Sequence, residues 1–271
     1  MDVLTSAQMV QLWEKGRTRP DHERAIDIMQ LALPDLTREA LFALPVGERN
    51  RTLFTLRKAA SGESLRAFVQ CPNCSEPLEF EQSISELMEE GGQGESTAQI
   101  EAQAEAQAEA KVEAKVEAKV EARNHRFAKD GYTVQFRLPN SADQAAGADL
   151  FFEEEVADHI LDATILGIEH KGENLPASGL PEELRDEIRA EQARLDPLAN
   201  PTVCLGCAAC KHVWHAPIDI AAFFWVEIER QARAVIDDVV MLARGYGWRE
   251  EDILAMGASR RELYLDALET A

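Results

Sequence analysis

The chain has 271 residues, and 28 Lys and Arg against 49 Asp and Glu leave it a formal charge of −21. A groove that tracks phosphates needs a surplus of Lys and Arg, so this balance excludes generic nucleic-acid binding by the chain as a whole. The length suits one large or two modest domains, and 45% hydrophobic with only 6% aromatic residues fits a helix-rich protein able to bury a core.

At the N-terminus, Met1-Asp2-Val3-Leu4-Thr5-Ser6 lacks a basic and then an apolar stretch. No signal peptide is therefore expected, and the protein is placed in the cytoplasm. Residues 1–63 read as a helical unit. Thr5-Ser6-Ala7-Gln8 is a capping box opening Met9–Gly16, with Met9, Leu12 and Trp13 on one face. Pro20 suits the first turn of a helix carrying Ala25, Ile26, Ile28 and Met29, and Arg49–Ala60 gives a third helix. Residues 64–90 change character. Leu65–Gln70 and Pro77–Gln82 read as strands on either side of a tight turn, Cys71-Pro72-Asn73-Cys74.

Residues 91–124 form a low-complexity linker. Gly91-Gly92-Gln93-Gly94 is a hinge without the Gly-Lys-Ser/Thr ending of a phosphate loop. The repeat after it sets Glu four residues apart, which stacks like charges on a helix, while its polar–apolar alternation has strand period. We read it as a solvated, partly helical spacer.

Residues 125–218 open with a hairpin turning at Asp130-Gly131, with Tyr132, Val134, Phe136 and Leu138 on its second strand. Ser141-Ala142-Asp143-Gln144 is a second capping box. Phe151–Leu166 reads as a helix, Gly167–Leu180 as a loop and Pro181–Leu195 as a helix with an acidic first turn. A second knuckle, Cys207-Ala208-Ala209-Cys210, precedes Val213 and Trp214. Residues 219–271 are helical. Asp219 caps a helix over Ile220–Gly245 on which Phe224, Ile228, Ala232, Val235, Val239 and Leu242 form a narrow apolar stripe. That helix contains the longest apolar run, the seven residues Ile220–Val226, where a membrane span needs about 20. Glu250–Met256 is a short helix, and Ser259 opens a third capping box before Leu263–Leu268.

Five cysteines in a chain without an export signal favour metal over disulfides. Cys71, Cys74, Cys207 and Cys210 have the spacing in which each turn offers two thiolates to one face of a tetrahedral ion. Together they would make a closed, structural zinc site. The 132 residues between Cys74 and Cys207 far exceed the usual ribbon spacing, so the intervening region must fold back. Four buried thiols without metal are the plain alternative. A thioredoxin-like redox pair fits poorly, because strand and not helix follows Cys74. Cys204-x2-Cys207 is a rival pair, and His212 or His215 can replace a ligand. Cys207 and Cys210 are preferred because the turn must precede the Val213–Trp214 strand. His22, His125, His159 and His170 read as surface residues, and no HExxH, GxSxG or dinucleotide fingerprint marks an active site.

The expected fold is α+β and mostly helical, with a small zinc-ribbon-like β module between an N-terminal helical unit and a long C-terminal helix followed by short ones. A family resemblance rests on several motifs taken together. They are Leu44-Pro45-Val46-Gly47-Glu48-Arg49, Phe136-Arg137-Leu138-Pro139-Asn140-Ser141-Ala142-Asp143, the two Cys-x-x-Cys pairs, and Phe224-Trp225-x-Glu227-Ile228-Glu229. The last is Leu242-Ala243-Arg244-Gly245-Tyr246-Gly247-Trp248, whose helix break is the most specific. With these the chain resembles the T4-type baseplate hub assembly protein family of contractile phage tails and extracellular contractile injection systems, apart from an insertion at about residues 83–125.

The resemblance implies a non-enzymatic, chaperone-like assembly factor in the bacterial cytoplasm, able to be retained in the particle. Its partners would be baseplate hub or spike proteins, with no nucleic acid, membrane or small-molecule substrate. The expected partner surface is the helix bearing Phe224, Trp225, Ile228, Val235 and Val239, whose stripe reads equally as the domain's own core. The alternative function is a zinc-ribbon nucleic-acid-binding or transcription-associated regulator, which would need a basic face where Cys207–His215 offers only Lys211.

Overall fold

In the computed structural model, which describes residues 5–90, 124–148, 150 and 152–270, the chain begins with a reciprocal cap. Thr5 Oγ1 accepts from the Gln8 amide at 3.2 Å and Gln8 Oε1 from the Thr5 amide at 2.9 Å, opening α1 (Ser6–Gly16). The fold is α+β and mostly helical, with small antiparallel sheets. Residues 91–123, with the expected hinge and repeat, lie outside the described residues. Among those described, no helix is long and apolar enough to cross a membrane. Two compact units emerge, one from residues 1–41, 50–84 and 202–271, the other from residues 42–49 and 85–201.

The first unit contains α1, α2 (Asp21–Ala32), α3 (Arg38–Phe42) as far as Leu41, and α4 (Val46–Ser61) from Asn50 onward. Two hairpins follow, β1 (Ser64–Gln70) with β2 (Pro77–Ser83), and β7 (Thr202–Gly206) with β8 (Val213–Pro217). The long α9 (Ile220–Tyr246), α10 (Glu250–Leu254) and α11 (Ala258–Glu269) complete it. Asp219 caps α9 by accepting from the Ala221 and Ala222 amides, and Gly247 ends it at φ 71°, a left-handed turn that glycine enters without a Cβ clash.

α9 packs along α1 at a point where no side chain fits. A Cβ on Gly16 would lie 2.2 Å from the Trp225 ring. Charge is handled inside this unit by hubs. The Asp27 carboxylate, 1% exposed, receives Lys15 at 2.9 Å, Arg19 at 2.9 Å and Arg38 at 2.6 Å. The buried Arg57 pairs with Glu227 at 2.8 Å and donates to the Gly62 and Ser64 carbonyls, tying the start of β1 to α9.

The second unit holds α5 (Ile84–Glu90) beyond Ile84 and a four-stranded sheet. Its strands are β3 (His125–Lys129), β4 (Tyr132–Phe136), β5 (Ile165–His170) and β6 (Glu173–Leu175), neighbours in that order. With α7 (Glu153–Thr164) and α8 (Glu182–Leu195) they enclose Val134, Phe136, Leu161, Ile168, Leu184 and Ile188, and α6 (Ser141–Ala146) packs against α7. The stretch expected to be a loop thus supplies two strands. Gly167 breaks the apolar alternation of β5, and Lys171-Gly172, both at positive φ, turn the chain into β6. His125 and His170 are half-buried against aromatic rings: His125 lies tilted beside Phe136 and His170 stacks on Tyr132, with ring centroids 5.5 and 4.0 Å apart.

Two of the family-like motifs form one joint in this unit. Pro45 bridges to Asn140, the Val46 amide donates to the Pro139 carbonyl at 3.0 Å, and Arg49 donates to Ser141 Oγ at 3.1 Å and Gln144 at 2.7 Å. The Gly47 amide donates to Asp196 Oδ2 at 2.9 Å, and a Cβ there would meet Asp196 Oδ1 at 1.7 Å. The capping box of α6 is shifted by one residue from its expected place. Asn140, not Ser141, is the cap, with Asp143 closing the box and also holding Arg137 by two short ion-paired bonds. Ser141 is fully buried instead. The third expected box does not form: α11 starts after Gly257, which caps it with no side-chain hydrogen bond, and Ser259 lies within the helix.

Candidate metal centre

Each hairpin of the first unit carries a Cys-x-x-Cys pair in the loop between its strands. The last rungs of the ladders are Gln70–Pro77 and Gly206–Val213, leaving six residues to turn in each case. The turns have the same backbone design. The Cys71 amide donates to the Glu76 carbonyl and the Cys207 amide to that of His212, both at 2.9 Å. The Ser75 amide returns to the Cys71 carbonyl at 2.8 Å and the Lys211 amide to that of Cys207 at 2.9 Å. Ser75 and Lys211 sit at φ 61° and 62°, a left-handed residue just after the second cysteine of each pair.

This repeated turn brings the first thiol of one knuckle against the second of the other. Cys71 and Cys210 Sγ are 3.6 Å apart, as are Cys74 and Cys207 Sγ, and all four sulfurs lie within 4.8 Å of one another. A tetrahedron with Zn–S bonds of about 2.3 Å has edges of about 3.8 Å, so these separations bracket what one ion needs. Cys71 and Cys207 are buried, Cys210 is half-buried and Cys74 exposed, so the site opens at one corner only.

The thiols are also electrostatically unequal. Cys210 is lowered to about 6, first by a hydrogen bond from the Asn73 side chain of the opposite knuckle and next by the His212 amide. At Cys74 the Glu76 amide pulls the same way, but the crowded thiols of Cys210, Cys207 and Cys71 with burial outweigh it and push the group up to about 12. Four thiols in so small a space compete for protons, a conflict that a bound divalent cation removes by taking four thiolates. The donor set thus fits a soft or borderline ion held by sulfur alone, with no coordination position left for water or substrate.

Asn73 has no counterpart in the second knuckle, where Ala209 stands at the same place. Only the meeting of the two hairpins shows its role, because nothing local in the sequence points it at Cys210. Cys204, the rival ligand, lies in β7 outside the cluster, and His215 lies opposite it in β8. His212 stacks on Trp214 with centroids 5.8 Å apart.

The residues expected to meet a partner lie mostly inside the first unit. Phe224, Trp225, Ile228 and Val235 are each under 9% exposed, and Val239 is half-buried. Phe224, Ile228 and Val235 nevertheless line a cleft of about 560 Å³ together with Met9, Met256 and Arg261. Arg261 is itself buried, donating to Asp238 at 3.2 Å, Ser6 Oγ at 2.9 Å and the Met256 carbonyl at 2.7 Å.

Fold and site together define a helical protein whose two distant β-hairpins close on one four-sulfur cluster. The chain belongs to the T4 bacteriophage base plate protein family, whose model matches residues 11–225, a stretch containing both knuckles and the joint of residues 45–49 with 139–144. The Tyr246-Gly247-Trp248 break lies beyond the matched stretch. No curated protein and no solved structure matches the chain.

Proposed function

We propose that the protein is a non-enzymatic, chaperone-like assembly factor for the baseplate hub or spike of a contractile phage tail or related injection system, acting in the bacterial cytoplasm and able to remain in the particle. The observation that carries this reading is the closed four-sulfur cluster in a chain of the baseplate family. A site that leaves no ligand position open holds segments together and does no chemistry on a substrate. Zinc at Cys71, Cys74, Cys207 and Cys210 would make the two hairpins one rigid module, with binding energy that is also folding energy. The partner surface is α9 with its Phe224, Trp225, Ile228, Val235 and Val239 stripe, reached where Phe224, Ile228 and Val235 line the cleft.

Co-expression with the neighbouring hub and spike genes, followed by pulldown, tests the reading. A stable complex with a hub or spike protein is expected, weakened by Val239→Asp, at the half-buried position of the stripe, in a variant whose circular dichroism is unchanged. Intact, infectious or injecting particles after deletion of the gene would overturn the assembly role. Metal analysis tests the site separately. After dialysis against zinc-free buffer, which removes weakly held ions, one tightly bound zinc per chain is expected in the wild type and less than a tenth of that in Cys207→Ser.

A further inference from the structure

We propose that Cys204 and His215 form a second, open cation site on the outer face of the β7–β8 hairpin, taking one zinc-like divalent ion apart from the four-sulfur cluster. The two residues are directly opposed in the antiparallel ladder. Both are exposed, whereas Val203, Leu205 and Ala216 of the alternate face are buried. Opposed residues on one face of such a pair have Cβ atoms about 4.5–5.5 Å apart. A tetrahedral ion with one Zn–S bond and one Zn–N bond sets its two donor atoms about 3.6 Å apart, within reach of a Cys and a His from that spacing.

Thiolate with imidazole is the donor pair that zinc and its neighbours prefer over the hard alkaline-earth cations. The rest of this face is Thr202, Gly206, Val213 and Pro217, so no ammonium or guanidinium on it repels the ion. Cysteine is among the residue types most often buried, and here one is exposed beside a knuckle turn that fixes the hairpin. Binding replaces the thiol proton with the metal, and that proton leaves to solvent. The remaining coordination positions face outward, open to water or to a donor group on whatever protein covers this face.

The test is equilibrium dialysis of the tag-free full chain against zinc, then cobalt, under reducing conditions. Wild type is expected to bind one ion more per chain than Cys204→Ser or His215→Gln, with the extra ion at least tenfold weaker than the rest. Its cobalt form should add a thiolate charge-transfer band in the near ultraviolet that both variants lack. The count is a difference between proteins sharing the four cluster cysteines, so it reads this site whether or not the cluster is filled. Equal stoichiometry in wild type and the two variants, or loss of the extra ion in only one of them, would overturn the proposal.

Discussion

At the residue scale, the tightest constraints are two glycines whose importance comes from what lies against them. Gly47 and Gly16 each leave no room for a Cβ, against the Asp196 carboxylate and the Trp225 ring. Gly206 has nothing within 4 Å and no positive φ. Overpacking of this kind costs about 1–3 kcal/mol. Gly47→Ala and Gly16→Ala should therefore each lower unfolding stability by about 2 kcal/mol in urea titrations, while Gly206→Ala stays within about 0.5 kcal/mol of wild type. Both close approaches join residues far apart in sequence, 149 positions in the case of Gly47 and Asp196. Neither glycine announces its role in the sequence for that reason. The cysteine pairs do, because two ligands on one turn need only a local spacing. That the pairs meet, and that Asn73 reaches across to Cys210, is tertiary information.

At the element scale, amphipathic helices and the Asp130-Gly131 hairpin are legible because their periodicity and turn chemistry are local. The ends of helices are less so. Asn140 and Ser141 are both good caps by residue type, and the choice falls to Asn140 because Ser141 is buried and receives Arg49. Asn140→Ala should cost about 1 kcal/mol, and Ser259→Ala, inside α11, less than about 0.5 kcal/mol, by thermal unfolding. The strands β5 and β6 escape a periodic reading because glycine interrupts one and the other has three residues.

The pairing of α7 with α8 adds an acid-sensitive element. Hydrogen bonding from Arg185, then the charges of Arg185 and Arg189, holds the Asp158 carboxyl below its usual value. A carboxyl lowered on folding contributes stability above its unfolded pKa and loses it as pH falls through the folded one. The midpoint of unfolding should accordingly fall less steeply below about pH 4 in Asp158→Asn than in wild type, a small effect for an exposed group and smaller still in salt.

At the scale of the whole molecule, the two units should respond differently to loss of metal. Both hairpins that carry the knuckles belong to the first unit. Chelation should raise amide exchange in β1, β2, β7 and β8 by at least tenfold and leave the core strands β4 and β5 of the second unit within about twofold, by hydrogen–deuterium exchange. Equal loosening of both units would show that the cluster supports more than the hairpins it joins. The family-like motifs divide in the same way. Those around Gly47 and Asn140 make a joint within the second unit, and those around the cysteines close the first.

One consequence follows from how the Cys71–Cys74 and Cys207–Cys210 turns interlock. Pinning Cys74 and Cys207 a few ångströms apart turns everything between them into a closed excursion whose ends no longer depend on its length. Chain entropy charges such an excursion only about 0.6 kcal/mol for each doubling. Lengthening or shortening that stretch therefore costs little, and the thiol anchor points at its two ends stay where they are.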